Sequence, residues 1–279
     1  MPLEEVFQEL EARGMGGVIA FLTGGDPTPE ATPRLVEAAV EGGADIVELG
    51  VPFSDPIADG PTIQAANIRA LKAGTNPLKV LRMAEKAKRR VDARIALLTY
   101  YNPIYRIGLG RFMKSASKHG VEGFIVPDLP VEESASYKRT AESYGLDTIF
   151  LATPSTRGER LEEIIRQTSG FLYLVALHGV TGAREKLDPI TIEALERIRR
   201  RNRDRPAVAV GFGISKPEHV RAVIDAGADA AIVGSAIIKL IEKDLGSPDG
   251  IAETIKEYVR ELKRAANHRS SSLTDKKPY

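Results

Sequence analysis

The sequence predicts a single (β/α)8 barrel of the α/β class, a TIM barrel, over residues 1–266. Three observations predict it. Eight short β-branched runs alternate with stretches of helical period along the 279 residues. Several of these runs are apolar throughout, as strands covered on both faces must be. No Pro-, Gly- or Ser-rich linker interrupts the alternation, and about 250 residues is an ordinary length for one closed barrel.

The eight strand candidates, in order, are Val18–Leu22, Ile46–Leu49, Ile95–Leu98, Gly123–Val126, Thr148–Leu151, Leu172–Ala176, Ala207–Val210 and Ala230–Val233. Helical patterns such as Pro33–Val40, Leu78–Ala87, Leu161–Ile165 and Ile192–Ile198 lie between them, which implies βαβ units and a parallel sheet. An N-terminal helix, about Pro2 to Ala12, is expected to cap the barrel bottom. The phrases Gly42-Gly43-Ala44-Asp45 and Ala226-Gly227-Ala228-Asp229 read as structural punctuation: a glycine ends a helix and an acid enters the next strand. The polar, serine-rich residues 267–279 read as a disordered tail.

Composition excludes several functions. With 43% apolar and 28% charged residues the chain can bury a large core. A net charge of +1 gives no footprint for nucleic acid or an acidic membrane. Cysteine is absent, which rules out disulfides, thiolate metal sites and cysteine nucleophiles. The N-terminus has no signal-peptide pattern and no apolar run is long enough to span a bilayer, so a cytoplasmic location is expected.

Barrel active sites lie at the C-terminal ends of the strands. No lysine stands there, which argues against a Schiff-base enzyme. The lone histidine, His178, cannot form a metal site by itself, so no metal is expected. The strongest chemical signal is Gly211-Phe212-Gly213 after the seventh strand and Gly234-Ser235 after the eighth. Glycines let backbone N–H groups approach an anion, and a helix opening at Ser235 would aim its N-terminus at a phosphate. Gly182 in the sixth loop adds a further candidate donor. Glu48 is the second signal, a carboxylate among apolar strand residues facing the barrel mouth. Asp59, in the proline-rich second loop, is the third, although a loop aspartate also serves as an N-cap. Phe21, Leu97, Tyr100, Ile125, Tyr173 and Phe212 fall on or just past strands and suggest a flat aromatic substrate. Any one of them would also serve as plain core packing.

These residues carry a resemblance. The run from Glu48 to Gln64, with Gly50-Val51-Pro52-Phe53-Ser54-Asp55-Pro56-Ile57-Ala58-Asp59-Gly60-Pro61 inside it, closely resembles the signature of the tryptophan synthase alpha chain family. So do Phe21–Pro27, Pro127–Glu133, Gly179-Val180-Thr181-Gly182 and Gly211–Ser215, in the family's order. The resemblance implies retro-aldol cleavage of indole-3-glycerol phosphate to indole and glyceraldehyde 3-phosphate, in tryptophan biosynthesis. It implies Glu48 as general acid/base and Asp59 as the group that holds the indole N–H. Gly182, Gly211, Gly213, Gly234 and Ser235 would contact the phosphate. Phe21, Leu97, Tyr100, Ile125 and Phe212 would line the indole pocket, with Tyr173 beside Glu48. The sixth loop, with Thr181, would be a lid, and His178 departs from the small or hydroxylated residue expected there. No cofactor is implied on this chain. Pyridoxal phosphate belongs to the implied partner, the beta chain of an alpha2-beta2 assembly, with Pro52, Phe53 and Asp55 as candidate contacts. Two other readings stay open on the residues alone: another phosphate-gripping barrel such as an isomerase, and a non-catalytic activating subunit.

Overall fold

The structure is a computed structural model and describes residues 2–176, 188–200 and 206–267. Its first half runs α1 (Leu3–Ala12), β1 (Gly17–Thr23), α2 (Thr32–Glu41), β2 (Ile46–Gly50), α3 (Pro61–Lys72), α4 (Pro77–Lys88), β3 (Ile95–Leu98), α5 (Tyr101–Ile107), α6 (Leu109–Lys118) and β4 (Gly123–Ile125). The second half runs α7 (Ala135–Ser143), β5 (Asp147–Ile149), β6 (Leu151–Ala152), α8 (Gly158–Gln167), β7 (Phe171–Val175), α9 (Pro189–Arg199), β8 (Ala207–Gly211), α10 (Pro217–Asp225), β9 (Ala230–Val233), α11 (Ser235–Lys243) and α12 (Pro248–Ala266).

All strand pairs are parallel, in the order β5-β4-β3-β2-β1-β9-β8-β7-β6. The two ends of that order, β5 and β6, are one barrel strand interrupted at Phe150. The fifth strand expected at Thr148–Leu151 is therefore present but broken. Across the break the Ser169 N–H donates to the Thr148 carbonyl at 2.9 Å and the Tyr173 N–H to the Phe150 carbonyl at 3.0 Å. The sheet thus closes on itself.

Side chains alternate between two cores, because strand residues point to opposite faces in turn. One set packs outward against the helices: Val18, Ala20 and Leu22 on β1, Val47 and Leu49 on β2, Leu172 and Leu174 on β7. The other fills the barrel: Ile19, Ile46, Ala96, Ile125, Ile149, Phe171, Ala209, Ala230 and Ile232. The expected N-terminal helix seals this inner core from below with Leu3, Val6, Phe7 and Leu10. The Phe7 and Phe171 rings lie 5.7 Å apart, and the Leu3 N–H donates to Asp147 at 2.9 Å.

The punctuation acids have a mechanical use. Asp45, Glu122 and Asp229, each entering a strand, accept the N–H of Val18 (2.7 Å), Ile95 (2.7 Å) and Val208 (2.8 Å) on neighbouring strands. The glycines before two of them, Gly43 and Gly227, adopt φ of 105° and 103°. L-residues rarely adopt that conformation, so these glycines end the preceding helices and turn the chain back to the sheet. At the other end α12 lays Ile251, Ile255, Val259, Leu262 and Ala266, at helical spacing, against α2 and α10. Its Lys263 reaches Asp45 at 2.8 Å and the Gly16 carbonyl at 3.0 Å. The expected tail beyond it, residues 268–279, lies outside the described residues.

One ion pair ties the mouth loops together. Asp26, in the loop after β1, is buried and takes two bonds from Arg69 of α3, at 2.7 and 2.9 Å. Burial raises the Asp26 pKa and the guanidinium opposes that rise. Removing the cation leaves a buried charge unpaired. Arg69→Ala is expected to destabilise the fold by about 3 kcal/mol at neutral pH. Without its partner Asp26 has a folded pKa above its unfolded one, so the deficit shrinks as pH falls and the carboxyl takes up a proton. Urea denaturation at several pH values measures this. A deficit that did not shrink in acid would place the loss elsewhere.

Candidate active site

The C-terminal mouth of the barrel holds a cavity of about 270 Å³. Its floor and walls come from strand ends: Phe21, Glu48, Leu98, Pro127, Leu151, Tyr173 and Ile232. One side is the second loop and the start of α3, from Ala58 to Ile63. The opposite side is Phe212, Gly213, Gly234 and Ser235. The signals expected at Glu48, Asp59, Gly213, Gly234 and Ser235 therefore meet in one cavity, which Gly211 does not line.

Glu48 points into the barrel because its neighbours Val47 and Leu49 face the helices. It is 1% exposed, and its buried Oε2 has no hydrogen-bond partner among the described residues. Burial pushes its pKa up to about 8, and the nearby Asp59 adds to the rise. A carboxylic acid of this kind holds its proton at neutral pH and can exchange it near working pH. Tyr173, also buried, faces Glu48 and Asp59, and both carboxylates help to hold its phenol protonated.

Asp59 is not a helix cap. Gly60 is the N-cap residue of α3 and receives no side-chain bond. The Asp59 carboxylate instead accepts from the Asn67 amide at 2.9 Å and from the Tyr100 hydroxyl. Gln64 holds the Asp59 carbonyl at 2.8 Å. Burial raises the Asp59 pKa, and the two donors oppose the rise by favouring the charged form.

The anion side is built by turns. β8 ends at Gly211, and the next residues, Phe212 and Gly213, both have positive φ, 80° and 74°. A phenylalanine in that region is strained, and such outliers gather at functional sites. Its ring meets Tyr173 edge-on at 6.5 Å. Gly211 lets Tyr173 approach, since a Cβ there would lie 2.4 Å from the phenol oxygen. α11 begins at Ser235, as expected, and Gly234 and Ser235 line the cavity, so the positive end of this helix borders it.

Three expected pocket residues lie elsewhere. Leu97 is buried in the outer core against the helices, because its register with Leu49 puts it on the outward face. Its neighbour Leu98 lines the cavity instead. Ile125 belongs to the inner core below the cavity, and Pro127, two residues on and so on the same face, takes the wall position. Tyr100 does not line the cavity. Its ring stacks near Phe53 at 5.2 Å and its hydroxyl accepts the Ala58 N–H at 3.0 Å, so it braces the second loop. Leu98, Pro127, Leu151, Ile232 and Asn67 escaped the sequence reading. The apolar pair Leu97-Leu98 carries no alternation to say which side chain points inward, and only pairing with Glu48's strand decides it. His178, Thr181 and Gly182 lie outside the described residues. Among the described residues no three His, Asp or Glu side chains gather as metal ligands.

The family model described as tryptophan synthase alpha chain matches residues 7–267. The chain belongs to the tryptophan synthase alpha chain family. Relatives agree along almost the whole length. The tryptophan synthase alpha chain of Methanoregula boonei is 47% identical over 264 residues, covering 95% of this chain and 98% of its own. That of Methanopyrus kandleri is 47% identical over 273 residues, covering 97% and 98%. Among solved structures, the tryptophan synthase complex of Pyrococcus furiosus superposes with a TM-score of 0.81 at 41% identity, covering 89% of this chain and 98% of that one. Subunit alpha from Legionella pneumophila superposes at 0.86 with 31% identity, covering 95% and 97%. As a member of this family the chain has the TIM-barrel fold read from its sequence, and the buried acid at the mouth lies within the span that the family model matches.

Proposed function

We propose that this cavity performs the alpha reaction of tryptophan synthase, with Glu48 and Asp59 as its catalytic pair. The chain is a lyase of tryptophan biosynthesis by family, and the reaction is retro-aldol cleavage of indole-3-glycerol phosphate to indole and glyceraldehyde 3-phosphate. The observation that carries the residue assignment is the buried Glu48 carboxyl, whose Oε2 has no partner among the described residues, beside Asp59 in an apolar cavity.

The chemistry follows from proton balance. The bond between the indole ring and the side chain breaks only if the ring can accept its electron pair. Protonated Glu48 gives its proton to the ring carbon, making an indolenine with positive charge spread to the ring nitrogen. The Asp59 carboxylate accepts the ring N–H and stabilises that charge. Glu48, now a carboxylate, takes the proton of the adjacent side-chain hydroxyl. The carbon–carbon bond cleaves, its electrons restore the aromatic ring, and the aldehyde forms. Glu48 ends protonated, ready for the next turnover. Gly213, Gly234, Ser235 and the α11 N-terminus hold the phosphate. The apolar wall from Phe21 to Ile232 takes the ring and excludes water. Thr181 and Gly182, in the sixth loop, remain the proposed lid and third phosphate donor.

Each step uses side chains of this chain, and pyridoxal phosphate is assigned to the beta-chain partner. The alpha2-beta2 assembly rests on solved relatives named as a complex, one of them described as the a2b2 complex of Pyrococcus furiosus. Exposed Ile57 beside Pro52, Phe53 and Asp55 on the second loop supports docking at this rim. Among the described residues no helix is long and apolar enough to cross a membrane, and the cytoplasm is the proposed location.

Incubating the chain with indole-3-glycerol phosphate, with and without a beta chain, is expected to release indole. None in either case would refute the assignment. The rate is expected to fall as pH rises past about 8, because Glu48 must carry its proton to start the reaction. A rate unchanged well above that pH would remove Glu48 from the acid role.

A further inference from the structure

We propose that Asn67 is a positioning residue for the reaction: its amide fixes the Asp59 carboxylate in the orientation and charge state that the indole N–H requires. The proposal rests on the function assigned above.

Asn67 is an unusual residue for its place. It lies in the interior of α3 and is only 4% exposed, flanked on the same buried face by Ala66 and Ala70. Asparagine is a poor residue for a helix interior, and a buried amide without a partner costs free energy that an apolar side chain would not. Its Nδ2 donates to Asp59 Oδ2 at 2.9 Å. That bond turns the carboxylate back along the helix and away from the N–H groups at the α3 N-terminus, where a loop acid would otherwise settle. Gln64, from the same helix, fixes the Asp59 carbonyl, so backbone and side chain of one catalytic residue are both held by α3.

The helix is in turn fixed to the barrel. Arg69, two residues on, is paired with buried Asp26 in the loop after β1. Asn67 is therefore a donor mounted on an anchored element, which a loop residue such as Asp59 lacks by itself. Among the described residues the ionisable groups that face Asp59 are Glu48 from β2, the Tyr100 phenol after β3 and the Tyr173 phenol from β7. Among the described residues only Tyr100 and Asn67 donate to it, and Glu48 disfavours its charge whenever it is itself ionised. Removing Asn67 leaves the carboxylate with one side-chain donor and a free rotor.

Two variants test this in the full-length chain. Asn67→Ala deletes the donor. Asn67→Asp keeps the shape and sets a second carboxyl against Asp59. The first readout is the Asp59 carboxyl titration followed by carbon-13 NMR, which is independent of turnover. It is expected to move to higher pH in Asn67→Ala and further in Asn67→Asp. The second is steady-state cleavage of indole-3-glycerol phosphate. Here kcat is expected to fall about tenfold or more in both variants, with KM changed far less. The acidic limb of the rate profile should move with the Asp59 titration, so that raising the pH recovers part of the Asn67→Asp activity. An unmoved Asp59 titration in both variants, or a wild-type kcat and acidic limb in both, would overturn the proposal. If the unaltered chain released no indole, the function would fall, while the NMR titration would still decide whether Asn67 governs Asp59.

Discussion

Glu48→Gln is expected to reduce indole release by roughly a thousandfold or more, within the range that a positioned acid/base contributes. The amide fits the same space but can neither give a proton to the ring nor take one from the hydroxyl. The fold should survive and, at alkaline pH, gain stability. Burial raises the native pKa of Glu48 to about 8 from an ordinary 4.5. The native state therefore binds this proton more tightly than the unfolded chain does. As pH rises from about 4.5 toward 8, ionisation in the unfolded state consequently weakens the wild-type protein. The substituted amide does not ionise, so the variant should match wild type near the lower end of that range and exceed it by roughly 4 kcal/mol near the upper end. Thermal or urea denaturation across the range measures the divergence, and a parallel kinetic assay measures the loss. Turnover like that of the wild type would remove Glu48 from the mechanism. A constant stability difference across pH would mean that its carboxyl is not held protonated.

The second large effect is expected at Gly213. Gly213→Asp should raise KM for indole-3-glycerol phosphate by about a hundredfold, the scale of losing a charge-assisted anion contact. Two causes act together. Gly213 has φ of 74°, a conformation that costs an L-residue about 1–2 kcal/mol. The new carboxylate would also face the α11 N-terminus, competing with the substrate phosphate for the same partial positive charge. The melting temperature should drop only modestly. Glycerol phosphate should stabilise the wild-type chain and leave the variant unaffected. An unchanged KM would place the phosphate elsewhere.

How far the sequence could be read depended on what kind of signal each residue carries. Glu48 was legible because a carboxylate inside an apolar strand is costly and thus conspicuous. Gly213, Gly234 and Ser235 were legible because glycines after the last two strands break an apolar pattern at the position where barrels bind anions, whereas Gly211 serves to admit Tyr173. The aromatic wall was only half legible. Phe21 and Phe212 line the cavity, but Leu97 faces the helices and Ile125 lies in the layer below. Parallel strands buried on both faces are apolar throughout, so their alternation is silent in the sequence. Which of Leu97 and Leu98 points inward is decided by pairing with β2, a long-range fact. Asn67 was invisible for a different reason: its importance comes from a partner eight positions away around a loop whose path composition does not set. The break at Phe150 was likewise hidden, since a strand interrupted at one residue has the same composition as an unbroken one.

The last helix has a consequence for how the protein is made. α12 covers the apolar flanks of α2 and α10 on either side of the place where β1 meets β9, and its Lys263 neutralises Asp45. Ribosomes deliver that helix after every strand has emerged. A nascent chain thus cannot settle its first strand against its last until β9 has emerged. A product cut short before Pro248 would present greasy helix flanks and an uncompensated acid at the open joint, the marks by which chaperones and proteases sort unfinished chains. The fold thus carries its own check that α12 has been made.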